Sequence, residues 1–339
     1  RLIARYTQTL KLRVHTSVLQ QRKITFTRDP DKLSLGCRDS VVTIGSFDGV
    51  HLGHQVVLRQ VIEKANKLGA ASVVMTFEPQ PQEYFSPDSA PARLMRLRDK
   101  IEALMEFGID HVVCLQFNSK LRNLSAEQFV QSILVNGLAT KELIIGDDFR
   151  FGRDRNGSFD MLVEMGRDLD FNVQDTQTIE VSGERVSSTL IRCLLEQANF
   201  NQVSQLLGRP FAIKGRVFYG QQLGRELGFP TANIQLNRYR APLSGVYAVL
   251  VEIEGSTHKF QGAANVGVRP TAGDLIKPIL EVHLLDFDED LYGKRIKVEF
   301  LYKVRDEQKF TTVDNLISYI RKDISNIRQW FAAANPSTT

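Results

Sequence analysis

A change of grammar near Gly208 constrains this chain more than any other feature. Upstream, short apolar runs alternate with helical stripes. Val41–Phe47, Ala71–Phe77, His111–Phe117 and Lys141–Gly146 read as buried strands. Between them, Val57, Leu58, Val61, Ile62, Ala65 and Leu68 recur at helical spacing up to Gly69, and Arg98–Phe107 is a second helix closed by Gly108. Ser125 with Gln128 three residues on forms a capping box. This β-α-β-α order predicts an α/β domain with a parallel sheet covered by helices on both faces. Downstream, Phe211–Phe218, Val246–Glu254, Leu280–Phe287 and Ile296–Val304 are strand-like, with turns but no long helix between them. That pattern predicts an antiparallel barrel or sandwich. It closes on an amphipathic helix from about Thr312 to Phe331, with Val313, Leu316, Ile317, Ile320, Ile324, Ile327 and Trp330 on its apolar face. The boundary falls near residues 200–208, dividing the chain into domains 1–200 and 201–339.

Length and composition agree with two globular domains: 339 residues, 42% hydrophobic and 24% charged. A net charge of +4 suits anionic small molecules and is too weak for a nucleic-acid surface. No apolar run is long enough to span a membrane. Cys37, Cys114 and Cys193 are widely separated, form no CxxC, and indicate neither a zinc site nor a disulfide framework. A reducing, cytoplasmic location is expected. The first 28 residues carry seven basic side chains and no acid. They read as a basic N-terminal extension, with an organellar import signal as the alternative. Leu2, Ile3, Tyr6 and Leu10 could equally form a short strand. Oligomeric state is not readable.

The segment Gly45-Ser46-Phe47-Asp48-Gly49-Val50-His51-Leu52-Gly53-His54 joins the first clear strand to its helix. A helix N-terminus at that end of a parallel sheet offers unpaired N–H groups to phosphates, and two imidazoles can donate to phosphate oxygens. An isolated His-x-x-His is otherwise a turn histidine and a cap histidine, and no third zinc ligand stands at convincing spacing. Ser187-Ser188-Thr189-Leu190-Ile191-Arg192 opens a later helix; alone it is a good cap. Gly146-Asp147-Asp148-Phe149-Arg150-Phe151-Gly152 follows an apolar strand. Together these strings resemble the GxFDGxHxGH, SSTxIR and GxDFxFG motifs of the flavin-type adenylyltransferases, which belong to a Rossmann-like nucleotidyltransferase superfamily. The resemblance implies that Gly45, Ser46, Phe47, Asp48, Gly49, Ser187, Ser188 and Thr189 bind ATP, with His51, His54 and Arg192 catalytic. Asp148 and Phe149 are implied as nucleotide or flavin contacts. The family usually has Asn where Ser46 stands and His where Gln80 stands.

No GxxxxGK[ST] occurs, so no Walker loop is expected. Instead, Gly215, Gly220 and Gly224 lead into Pro230-Thr231-Ala232-Asn233, and Leu280-Glu281-Val282-His283-Leu284 follows. Thr231 and Asn233 offer oxygens suited to Mg²⁺; as an isolated string, PTAN would be a turn with an Asx bond. Strand alternation sets Glu281 and His283 on one face, with Leu280, Val282 and Leu284 on the other. These strings are similar to riboflavin kinase. The similarity implies a barrel, a general base at Glu281, glycine contacts to ATP at Gly215, Gly220 and Gly224, and a nucleotide contact at Asn265. Gln221 and Gln222 replace the family's basic residues.

Both resemblances together cover about Val41 to Phe331. They imply ATP-dependent phosphorylation of riboflavin to FMN, then adenylyl transfer from ATP to FMN giving FAD. Two rivals remain open at this level: a nucleotidyltransferase for another phosphorylated small molecule, and a flavin-binding or regulatory homologue with one activity lost.

Overall fold

The computed structural model describes residues 23–36, 39–176, 180–181, 184–220, 224, 227–236, 240–270 and 276–334. Six strands build the first sheet: β1 Lys23–Thr27, β2 Ser40–Ile44, β3 Ala71–Glu78, β4 His111–Gln116, β5 Thr140–Ile145 and β6 Asn172–Asp175. All are parallel, in the order β1-β4-β3-β2-β5-β6. β2 is buried at every position, as a central strand covered on both faces must be. From β2 the chain steps outward through β3 and β4, then returns to place β5 and β6 on the other side. The switch point lies between β2 and β5.

Helix α1, Leu52–Leu68, packs Leu58, Val61 and Ala65 onto the sheet and ends at Gly69 in the left-handed region (φ 64°). Helix α2, Leu97–Phe107, ends the same way at Gly108. The capping box at Ser125 and Gln128 is formed. One expectation changes at the N-terminus. The basic extension was read through residue 28, yet Lys23–Thr27 is an edge strand paired with β4. Its alternation explains why: Ile24 and Phe26 pack on the core under α1 while the polar residues alternate with them. Leu2, Ile3, Tyr6, Leu10 and Cys37 lie outside the described residues.

The second half closes into an antiparallel barrel of six strands: β9 Ala212–Phe218, β10 Ala232–Gln235, β11 Gly245–Ile253, β12 Lys259–Pro270, β13 Ile276–Leu284 and β14 Arg295–Arg305 (β7 and β8 are the small hairpin Glu180–Val181 and Glu184–Arg185). Closure decides between barrel and sandwich. β10 and β12 are absent from the sequence reading. β10 has only four residues and overlaps the turn-like Pro-Thr-Ala-Asn string. β12 runs through Gly262-Ala263-Ala264, a stretch of low strand propensity held by the long neighbours β11 and β13.

Two shorter helices, α3 Ser188–Glu196 and α4 Phe200–Leu207, connect the halves. Their apolar faces do not stop at the α/β layer. Ile191, Leu195, Val203 and Leu206 share one core with Leu94 above and with Tyr247, Val249 and Phe300 in the barrel. The C-terminal helix α5, Val313–Ala334, lies against the outside of the barrel. Its apolar stripe is only partly covered: Ile327 and Phe331 are buried, whereas Val313 is 56% exposed. Buried Asp323 on α5 holds the Arg305 guanidinium at 2.8–3.1 Å.

Gly215 was expected to contact ATP; it lies inside β9, within the strand-like Phe211–Phe218 run, and a Cβ there would come within 2.1 Å of Ile234 Cγ2. Barrel packing accounts for this glycine. Gly215→Ala should destabilise the chain by roughly 1–3 kcal/mol through overpacking. Adding Ile234→Ala should cost less than the sum of the single changes. Denaturant titration of the four-member cycle checks this, and strict additivity would contradict the packing role.

Candidate nucleotide sites

The carboxyl ends of β2 and β5 flank the switch point, which is where an open α/β sheet takes its ligand. A cavity of about 1040 Å³ opens there, lined by Gly45 and Ser46 after β2, Gln80 after β3, Phe117 after β4, and Asp148 and Phe149 after β5. Phe149 stacks on Phe151 with centroids 5.7 Å apart, giving the cavity an aromatic wall. Asp148 is exposed to it.

Beside this cavity the Gly45–His54 turn is tightly braced. Phe47, Gly49 and Val50 all have positive φ (47°, 87° and 42°). A Cβ on Gly49 would meet Leu94 Cδ1 at 2.8 Å, so glycine is required by both conformation and space. Asp48 is 1% exposed. Its carboxylate accepts the backbone N–H groups of Leu94 (2.9 Å) and Met95 (3.0 Å) and a guanidinium N–H of Arg192 (2.6 Å). Arg192 also donates through Nε to the Ala92 carbonyl at 2.6 Å. Both residues were expected at the phosphates; here they are bonded to each other and to the backbone. Ser187 caps α3 by accepting Leu190 N–H, Ser188 donates to the Asp48 carbonyl at 2.9 Å, and Thr189 is exposed. The SSTxIR-like string therefore meets the glycine turn, with Thr189 as its outward hydroxyl.

His51 is the N-cap of α1, so the helix begins two residues before the expected His54. Its Nδ1 accepts the His54 backbone N–H at 3.3 Å, which leaves the proton of the neutral ring on Nε2. The two imidazoles stack with centroids 3.6 Å apart. Burial pushes His51 down to about 4, against a smaller opposing pull from Asp48. His54 is pushed well below the usual histidine range, mainly by burial and then by His51 and Lys100. Its Nδ1 is buried with no hydrogen-bond partner. Both rings are thus neutral at pH 7, able to donate from one nitrogen each. Neither lines the large cavity; of the turn, only Gly45 and Ser46 do.

Sequence reading missed Lys100. Only 2% exposed, it donates to the Ser46 carbonyl (2.7 Å) and Thr76 Oγ1 (3.1 Å), beneath the turn. Burial lowers its pKa. The available signal was its spacing: Lys100 and Leu104 are four apart on α2 and share the buried face, which the usual exposure of lysine concealed.

In the barrel, cross-strand register lines up Asn233 of β10, Glu281 of β13 and Asn265 of β12. Asn265 Nδ2 approaches Glu281 Oε2 at 3.5 Å. Leu280 and Val282 are fully buried, so Glu281 faces the opposite side, as alternation predicts. Asn233 is 4% exposed, and its Oδ1 has no hydrogen-bond partner. A Cβ on Gly220 would meet the Asn233 side chain at 2.6 Å, so this glycine lets the backbone approach the amide closely. The Gly224 carbonyl accepts Phe229 N–H and so helps shape the approach to Pro230. Gln221 and Gln222 lie outside the described residues. A second cavity, about 380 Å³, is lined by Thr231, Asp288, Tyr219 and Tyr292, the two tyrosines stacked 3.7 Å apart. Glu281 and Asn265 are not in its wall; β13 contributes Val282 and Leu284, which alternation sets on the face opposite Glu281, and β10 is reached through Thr231 and Ala232.

A parallel sheet with a phosphate-ready turn at its switch point, fused to a closed barrel with an aligned carboxylate and amides, defines a two-site nucleotide-dependent transferase. The FAD synthetase family model matches residues 36–190 and the riboflavin kinase family model residues 207–331. The chain belongs to the family of bifunctional riboflavin kinases/FMN adenylyltransferases. A Pseudomonas fluorescens protein of that description is 51% identical over 300 residues, 88% of this chain and 94% of that protein. An Escherichia coli K12 protein of the same description is 46% identical over 89% of this chain and 95% of its own. A solved Streptococcus pneumoniae structure, described as a macrolide-efflux protein, superimposes with a TM-score of 0.72 at 30% identity, covering 91% of this chain and 99% of that one. Among the described residues no helix is long and apolar enough to cross a membrane.

The buried imidazoles make a pH prediction. A histidine depressed in the folded state leaves the unfolded chain to bind the proton first. Its neutral burial is therefore uncontested above about pH 6.5 and becomes destabilising as pH falls toward 4, by roughly 3 kcal/mol for His51. Replacing His51 with Gln should flatten the stability loss between pH 6.5 and 4. Chemical denaturation across that range checks it; parallel curves for the two proteins would refute it.

Proposed function

We propose a division of labour between a domain of residues 1–200, carrying FMN adenylyltransferase, and a domain of residues 201–339, carrying riboflavin kinase. The family matches ending at 190 and beginning at 207 support that boundary. The chain phosphorylates riboflavin to FMN and adenylates FMN to FAD with ATP as the co-substrate. Both family matches and both curated relatives name the two activities, so a homologue with one activity lost has no support. We place its work in the cytoplasm, on small molecules rather than nucleic acid. The bacterial relatives and the mild net charge favour this.

For the kinase, the carrying observation is the cross-strand row that sets the Glu281 carboxylate between Asn233 and Asn265, with Thr231 two residues before Asn233 in the wall of the smaller cavity. ATP held beside Thr231 and Asn233 would present its γ-phosphate to the row, and the terminal ribityl hydroxyl would lie toward Glu281. Glu281 accepts the hydroxyl proton as the oxygen bonds to phosphorus and the bond to the β-phosphate oxygen breaks. The unpaired Asn233 Oδ1 and the Thr231 hydroxyl fit a hard Mg²⁺, which would neutralise phosphate charge there. For adenylation, FMN lies in the aromatic-walled crevice with Asp148 and Phe149. Its phosphate oxygen attacks the ATP α-phosphorus, and pyrophosphate departs. The Nε2–H of His51, the ring of His54 and the N-terminus of α1 stabilise the charge on that leaving group.

Separate sites give separable losses. Glu281→Ala should lower FMN formation by about 10²- to 10⁴-fold while leaving adenylation of supplied FMN largely intact. His54→Ala should do the reverse. Chromatography of flavins after incubation with riboflavin or FMN and Mg-ATP reads both. Equal loss of the two activities in either variant would contradict the assignment.

A further inference from the structure

The adenylation turn is held partly by a residue outside the adenylyltransferase match. Arg209 follows Gly208, the cap of α4, and lies within the kinase match. It nevertheless reaches back across the boundary. Its Nη2 donates to the Gly49 carbonyl at 2.6 Å, and its Nη1 to the carbonyls of Val50 and Leu207 at 3.2 Å each. Gly49 and Val50 are buried and immediately precede His51. Their carbonyls lie before the N-cap, so α1 offers them no N–H. Gln55 assists by donating to the same Val50 and Leu207 carbonyls at 3.1 Å. Arg209's remaining hydrogen-bond contact among the described residues is Met95 Sδ at 3.7 Å, so the guanidinium is matched to carbonyl oxygens rather than to a carboxylate.

The two halves are locked so that this reach is fixed. Arg295 of β14 pairs with Glu102 (3.1 Å) and Asp99 (3.7 Å) on α2, and Lys214 of β9 approaches Glu102 at 3.8 Å. Beneath these pairs runs the shared apolar core of α3, α4 and the barrel.

We propose that Arg209 is a positioning residue for adenylyl transfer: by holding the Gly49 and Val50 carbonyls it sets the turn that aims His51 and the start of α1 at the ATP phosphates. This rests on the adenylation site described above. The adenylation turn then depends on a side chain supplied by the kinase half. Misplacing a reacting group by about 1 Å can cost about 10²-fold.

The test uses the full-length chain. Arg209→Met and Arg209→Lys are assayed for FMN adenylation with varied Mg-ATP and, in the same preparations, for riboflavin phosphorylation. Arg209→Met is expected to lose about 10- to 100-fold in adenylation kcat/KM, with kinase kcat/KM within about twofold of wild type. Arg209→Lys, which keeps the charge but not the forked donors, should recover part of the loss. Methylguanidinium added to Arg209→Ala should restore adenylation saturably, which general loosening of the fold would not allow. Unchanged adenylation in Arg209→Met overturns the proposal, as does an equal fall in both activities in the Met and Lys variants. Wild-type protein that makes no FAD from FMN would instead remove the adenylation reading itself, and this proposal with it.

Discussion

The buried carboxylate of Asp48 is the contact on which the first site depends. An ionised carboxylate at 1% exposure is tolerable only where donors replace its water. Two backbone N–H groups at Leu94 and Met95 and the Arg192 guanidinium do so. Each donor comes from a different place in the chain from the acceptor: the turn after β2, the segment before α2, and α3. Removing one partner from such a buried pair costs about 3–5 kcal/mol, chiefly because the other charge is left unmatched. Leu94, fixed by that bond, also enters the core shared with the barrel. One side chain thus ties the glycine turn, α3 and the domain junction together.

That arrangement revises how the motif-like strings of the first domain work. Asp48, Arg192, Ser187 and Ser188 act on one another and on backbone. Of the Ser187–Arg192 string only the Thr189 side chain is exposed, and the imidazoles lie buried at the start of α1. Charge therefore reaches the crevice through a preorganised turn rather than through loose cationic side chains. Fixed dipoles of this kind need little reorganisation when charge moves, which is what transfer to a pyrophosphate leaving group requires.

Much of this was legible in the residues, and the exceptions share a cause. The parallel sheet followed from alternating apolar runs, because strands buried on both faces must be continuously apolar. The face on which Glu281 lies was legible from two-residue alternation, whereas its role as a base was implied only by the resemblance to riboflavin kinase. Lys100 was not legible, because its burial is a tertiary effect: the Ser46 carbonyl and Thr76 hydroxyl that satisfy it come from β2 and β3. Gly215 was legible as part of the strand-like Phe211–Phe218 run, but its packing reason was not. The constraint is Ile234 on a strand 19 residues later. Strand β1 could be read from Lys-Ile-Thr-Phe-Thr, but the surrounding basic residues outweighed its period.

The two sites also handle protons in different ways, and this follows from their walls. At the sheet, the stacked imidazoles are buried and kept neutral; in the proposed adenylation site they would donate without carrying a charge that ATP binding would have to desolvate. In the barrel, the reacting hydroxyl must lose a proton, and in the proposed kinase site the carboxylate that the strand row sets beside two amides would take it. Adenylation by an ionised phosphate needs no such base, since its nucleophile is already an anion. A carboxylate is present where a proton must leave, and neutral donors stand where only negative charge must be borne. The chemistry of each transfer is matched by the electrostatics of the strand ends that surround it.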